Sequence, residues 1–333
     1  MAGGKSGRVI ANVPENSLKK TILSWEGMLV VILLAVFIGF SVKVPTFNLT
    51  SILSQQKYLD ELIILFPMAF VLILGEIDIS VGSIVCLAGT VAALASNGGM
   101  STPVSVVVGL LIGLACGLLN GLICITFTEL PPMIITLGTQ ILFRGIAEIL
   151  LGSGGSISIA DGNFGKLASK VGIIPIAFIL IIILAVVSTI LAHKTTFGRR
   201  VFAMGSNRLT AYYSGINVPG IRLFVYAWLG LAAGACAMFL NAYSFGVNTT
   251  TGQGYEMDVI AMAVFGGISN IGGKGKMAGG IISALTIVCL QVGLGLMNMN
   301  GQIIKIVLGV LLILAVLLPN IVGKISAARK MVK

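Results

Sequence analysis

The sequence predicts an all-α integral membrane protein, and three observations carry that reading. Of its 333 residues, 57% are apolar and only 10% charged, whereas a soluble domain is about a quarter charged. Its apolar runs are long enough to cross roughly 30 Å of hydrocarbon as helices of about 20 residues. Its Lys and Arg collect in alternate loops, the bias that orients helices in a bilayer.

Residues 1–18 are polar and hold no signal-peptide core, so residues 1–25 are expected to remain as a cytoplasmic tail. Apolar periodicity then gives about ten spans, near 26–44, 61–75, 79–96, 103–127, 132–151, 171–192, 221–242, 256–270, 277–298 and 301–322. Residues 323–333 form a second cytoplasmic tail. With the amino terminus inside, inner segments hold fifteen of the twenty-one basic residues, and outer segments hold Lys43, Lys57, Lys166 and Lys170. The net charge of +10 is therefore a topology signal and not a nucleic-acid-binding stripe. The five cysteines lie inside apolar runs without ligand-like spacing and read as core-packing thiols.

Two pairs of segments are broken by glycine-bounded polar stretches, GEIDISVG (75–82) and GGISNIGGKGK (266–276). Transporters use such breaks because freed backbone groups can face a path instead of lipid. The pairs read as an internal repeat, yet both breaks count to the cytoplasmic side, which an inverted repeat does not predict. Either the repeat is not inverted or a helix is miscounted.

Acids at membrane depth are costly, which makes Glu76 and Asp78 functional candidates. Asp78, with Ser80 and Ser83 following, also reads as a helix cap. In GLACGLLNG, Gly113, Gly117 and Gly121 share one helix face and permit close packing in lipid. Asn120 beside them either bonds across helices or lines a polar path. The span opened by Pro131 and Pro132 carries Thr136, Thr139, Gln140 and Phe143, a surface suited to a neutral, hydroxyl-rich ligand. Arg144 and Glu148 stand at i,i+4 and are expected to pair. Asp78, Ser80, Asn120, Thr136, Thr139, Phe143 and Asn270 are thus the candidates for a translocation path or gate.

The longest polar interruption runs from His193 to Arg222, with the coupling loop placed at 193–220, and carries Lys194, Arg199, Arg200, Arg208 and Arg222 and no acid. It belongs inside, and Arg200–Ser214 has the apolar periodicity of a short surface helix. The sequence contains no phosphate-binding GxxxxGK[ST] loop, no HExxH and no Ser/His/Asp arrangement, and the lone His193 reads as interfacial. Neither enzyme chemistry, a cofactor nor a metal site is expected.

Five segments, GEIDISVGSIVCLAG (75–89), GLLNGLICI (117–125), LPPMIITLGTQILFRG (130–145), KTTFGRRVFAMGSNRLTAYYSGINV (194–218) and EMDVIAMAVFGGISNIGGKGKMAGG (256–280), resemble the inner-membrane permeases of bacterial ABC importers for monosaccharides. That class includes ribose, galactose, xylose, rhamnose and autoinducer-2 permeases. WEG (25–27) with GEID looks more like the rhamnose and autoinducer-2 branch. The resemblance implies a fold like the vitamin B12 importer's membrane subunit, a second permease subunit (identical or not), a cytoplasmic ABC ATPase and an extracytoplasmic sugar-binding protein. It also implies an ATPase contact over Phe197, Gly198, Arg199, Arg200, Ala203, Gly205, Asn207, Ala211, Ser214 and Gly215. The competing reading is a stand-alone secondary transporter or channel, with Arg144, Glu148 and Lys305 as its ionisable groups.

Overall fold

The computed structural model describes residues 24–310 and 313 and is built almost wholly of helix. The tail at 1–23, most of 311–322 and the tail at 323–333 lie outside the described residues. The helices are α1 Trp25–Lys43, α2 Leu49–Ser54, α3 Gln56–Leu59, α4 Leu62–Ile73, α5 Val81–Asn97, α6 Thr102–Thr126, α7 Pro132–Leu151, α8 Ile176–Lys194, α9 Thr196–Ser206, α10 Arg208–Tyr213, α11 Val218–Ser244, α12 Tyr255–Phe265, α13 Met277–Leu296 and α14 Gly301–Val310. Six of these, α1, α6, α7, α8, α11 and α13, are long and apolar enough to cross a membrane. Each expected segment contains a helix. The largest boundary shifts are at α8, which begins late because Lys170–Val171 and Ile174–Pro175 form a small hairpin, and at α12, which ends at Phe265.

Local chemistry explains the helix starts. Ser24 caps α1 by accepting from the Gly27 amide at 3.1 Å. Pro103 and Pro132 occupy the first turns of α6 and α7, where a missing N–H is tolerated. α4 is buried along its whole length, although Pro67 lies within it, so it forms the bundle's centre. α1 and α8 instead expose Val31, Leu34, Ile183 and Val186, as lipid-facing helices do.

The glycine face predicted on α6 meets a matching one on α11. Gly113 and Gly117 lie against Gly230 and Gly234, and a methyl group on Gly117 would overlap the carbonyl oxygen of Tyr226. The backbones approach closely only because neither helix carries a side chain there. All five cysteines are buried and unpaired.

The segment 245–254, between α11 and α12, is more than a short link. Its start, β4 (Gly246–Asn248), pairs antiparallel with β1 (Ser156–Ser158) beside Asn97, whose amide donates to Ser158 O at 2.8 Å. The chain then follows α5 to the level of Gly82, which at 1.5 Å per residue is a descent of about 22 Å. Arg144 tethers it, donating to Thr249 O at 3.0 Å, Thr251 O at 2.8 Å and Gly82 O at 3.1 Å. Beyond the strand the segment is a run of turns, and non-helical backbone among membrane helices persists only where its polar groups are satisfied or face a cavity. Arg144 is therefore not paired with Glu148: three carbonyls take up the guanidinium that the i,i+4 spacing assigned to the carboxylate.

Candidate gate and coupling site

The two helix breaks lie on the same side of the molecule and touch. Gly75, with φ of 75°, approaches the Ile271 carbonyl, and the Gly273 amide donates to Ile73 O at 2.8 Å. α9 covers this junction. A methyl group on Gly205 would overlap Ile73 O and stand 2.5 Å from Gly273 N, so glycine is what lets α9 reach both breaks.

The basic loop is two helices rather than one. Asn207 adopts an extended conformation between α9 and α10, and its side chain accepts from Thr210 N at 2.9 Å, ending one helix and capping the next. Arg199, Arg200, Ala203, Asn207, Ser214 and Gly215 are exposed. Gly198 and Ala211 are buried, Gly205 is half-buried, and the Phe197 ring lies 5.9 Å from Phe70 and 5.3 Å from Phe224. The exposed and the buried members thus form, respectively, an outer surface and its attachment to the bundle. Leu209, Tyr212 and Tyr213 on α10 are also strongly exposed and enlarge that apolar surface.

Behind α10 lies a charge cluster whose partners sequence spacing did not suggest. Glu76 is buried and meets Arg208 from α10, Arg222 from α11 with Nε at 2.8 Å, and the Tyr226 hydroxyl, which donates at 2.8 Å. Arg222 also donates to Cys124 O at 2.8 Å, tying in the end of α6. Arg222 is therefore buried and paired, not a solvated loop cation. An acid in a break and basic residues at the helix starts of the basic loop were the only sequence signals for this pairing.

Two residues further on, Asp78 begins a second network. Its Oδ1 accepts from Ser80 N and Ser80 Oγ, each at 2.7 Å. Asn120 donates to Ser80 Oγ at 2.7 Å and to Asp78 Oδ2 at 3.2 Å. Thr136 accepts from Ile79 N at 3.2 Å, and Thr139 donates to Thr136 O at 3.2 Å. Asp78, Ser80, Asn120 and Thr136 are essentially inaccessible, Thr139 and Phe143 are buried beside them, and Asn270 is exposed in the second break. α5, α6 and α7 are thus joined at the first break by hydrogen bonds.

Six helices long and apolar enough to cross a membrane, two touching helix breaks and a basic helical pair clasping both define a multi-pass membrane protein. Residues 61–316 match the family model described as the branched-chain amino acid transport system permease component. The chain is 36% identical over 259 residues to the ribose import permease protein RbsC of Bacillus subtilis, covering 77% of this chain and 80% of that protein. It is 30% identical to the D-allose transport system permease protein AlsC of Escherichia coli, covering 96% and 100%. It is 31% identical to the autoinducer 2 import system permease protein LsrD of Klebsiella pneumoniae, covering 90% and 92%. No solved structure matches the chain. The chain belongs to this permease family and is a membrane subunit of an ABC importer. The relatives named are permeases and do not separate the sugar branches, since ribose, allose and autoinducer-2 proteins match at 30–36% identity.

Proposed function

We propose that this subunit carries a monosaccharide, or a similar polyol-like ligand, across the membrane while a separate ABC ATPase supplies the energy. The observation that carries the reading is the seating of α9, through Gly205, on both helix breaks at once. A push on the basic loop would reach α4, α5, α12 and α13 without passing through flexible chain. Names of relatives that import ribose, allose and autoinducer 2 support the ligand class.

In this reading all ten expected segments cross the bilayer, in a fold like the vitamin B12 importer's, with both termini and the basic loop cytoplasmic. An extracytoplasmic binding protein delivers the sugar, and a second permease subunit completes the path. Arg199, Arg200, Ala203, Asn207, Ser214 and Gly215 meet the ATPase, while Phe197, Gly198, Gly205 and Ala211 fasten the coupling helices to the bundle. Asp78, Ser80, Asn120, Thr136, Thr139 and Phe143 form the jointed side of the gate, with Asn270 on the second break.

Charge reversal of Arg199 and Arg200 is expected to abolish ATP-driven uptake and co-purification of the ATPase while membrane insertion is retained. Unchanged uptake and co-purification would remove the coupling role. The permease alone in liposomes is expected to accumulate nothing. Proton- or sodium-driven accumulation by the chain alone would replace the importer reading with that of a secondary transporter.

A further inference from the structure

A second polar centre lies between α5, α7 and α12, around a cavity of about 390 Å³, within the roughly 300–1,000 Å³ of small-molecule sites. Gln140, Arg144 and Glu148 stand at i, i+4 and i+8 and share one stripe of α7. Gln140 is about 12 Å and Glu148 about 24 Å along α7 from Pro132, at 1.5 Å per residue. Ser83 from α5, and Gln253 and Glu256 from the end of the descending segment and the start of α12, complete the wall. Gln140, near the middle of α7, is costly against lipid and belongs against protein or water, whereas Glu148 is exposed within the last turn of the helix.

The chemistry of the wall narrows what it can hold. Arg144 is committed to three backbone carbonyls and fixes the descending segment. The Ser83 hydroxyl is buried, lines the cavity and has no hydrogen-bond partner. Among the described residues, the side chains of Gln140, Glu148 and Gln253 bond to no other residue. With the Thr249 hydroxyl, the unused groups are thus two amides, two hydroxyls and a carboxylate, Glu148 and Gln253 being exposed, with the Glu256 carboxylate beside them, held against Gly82. Two carboxylates repel an anion, and Arg144, the one cation among the described residues lining the cavity, is engaged. A ligand with many neutral O–H groups fits: it donates to the carboxylates and exchanges bonds with the amides. A zwitterionic amino acid fits worse, because its carboxylate finds no free cation.

We propose that this chamber, and not the buried Asp78–Asn120 network, is where the permease touches its polyhydroxylated cargo. The inference rests on the importer reading. In vesicles holding the permease with its ATPase and binding protein, labelled D-ribose, D-allose and L-leucine serve as probes. Glu148→Gln and Gln253→Ala are expected to lower sugar uptake about tenfold and to change the ribose-to-allose ratio, with ATP hydrolysis kept within about twofold of wild type. Wild-type uptake of a sugar with unaltered rate and ratio in both variants would overturn the chamber alone. Uptake of leucine in place of sugar, or of no probe, by the wild type would overturn the sugar reading and the chamber's ligand class together. A second measurement uses Gln253→Cys, since the five native cysteines are buried. The transported sugar is expected to slow labelling of Cys by a small polar thiol reagent several-fold, and an unchanged labelling rate would overturn the assignment.

Discussion

Two of the bundle's clusters of charged and polar groups, one at the basic loop and one beside α7, are built in opposite ways. At the basic-loop end, both oxygens of Glu76 are engaged, by Arg208 and Arg222 on one side and by Tyr226 on the other. In the chamber beside α7, Gln140, Glu148 and Gln253 line open space and bind no other described residue. A buried charge that is fully paired serves the fold, because its groups have nothing left for a ligand. Glu148 and Gln253 are exposed instead, so keeping them costs the fold little and leaves their polar groups open to a ligand. The difference separates a mechanical joint from a place of contact.

Removing Glu76 is the severest way to break the joint. Glu76→Ala leaves Arg222 buried without its carboxylate, a loss of about 3–5 kcal/mol. Thermal unfolding in detergent is expected to show a large destabilisation for Glu76→Ala and nearly none for Glu148→Gln. Surface-like substitutions away from special contacts stay within about 0.5 kcal/mol. Equal destabilisation by the two would erase the distinction between the clusters.

Gly117→Val tests the joint through packing. The new side chain would overlap the carbonyl oxygen of Tyr226, whose hydroxyl is bound to Glu76. Overpacking of this kind costs about 1–3 kcal/mol and should push α11 away from α6. The expected result is a lowered melting temperature together with loss of ATP-coupled uptake, while sugar protection at a Gln253→Cys thiol persists. Loss of protection as well would mean that the two clusters are one mechanical unit.

The chain's order declared some of this and concealed the rest. Helix segments, the two breaks and the basic loop were legible because Pro, Gly and charge act locally, as Pro132, Gly75 and Asn207 each do. The glycines of α6 announced a close partner but not which helix would supply it; Gly230 and Gly234 answer only in three dimensions. Glu76 and Arg222 are remote in sequence, and no periodicity connects them. Arg144 misled for a similar reason: the i,i+4 rule describes an isolated helix, whereas carbonyls from a descending segment far along the chain supply more bonds. Nothing in the polar residues of that segment records how far along α5 it runs.

Thr136→Val sharpens the boundary between the chamber and the buried network. Thr136 accepts from the Ile79 amide and is inaccessible. Valine has a similar shape but leaves that amide unpaired, at about 1–2 kcal/mol. A stability loss with an unchanged ribose-to-allose ratio is expected from uptake and unfolding measured on the same preparation. A changed ratio with unaltered stability would move Thr136 from the joint to the cargo path.

The smallest effect is expected far from both clusters, at Asp161 in the connection between α7 and α8. Its carboxylate accepts from the Thr102 hydroxyl and, at 2.9 Å each, from the backbone and side-chain nitrogens of Asn163. The Thr102 bond first, and then the Asn163 amide, hold the carboxyl below the usual carboxylate range. A folded pKa below the unfolded one contributes stability that is complete above the unfolded value and is lost as pH falls through the folded value. With an ordinary Asp near pKa 3.9, about pH 4 marks where that loss begins. Asp161→Asn is therefore expected to lower the melting temperature slightly at pH 7, with the gap to wild type closing toward pH 3. Because Asp161 touches neither Glu76 nor the α7 chamber, uptake and sugar protection should not change with the substitution. A gap that stays constant across this range would mean that Asp161 acts through its shape and not its charge.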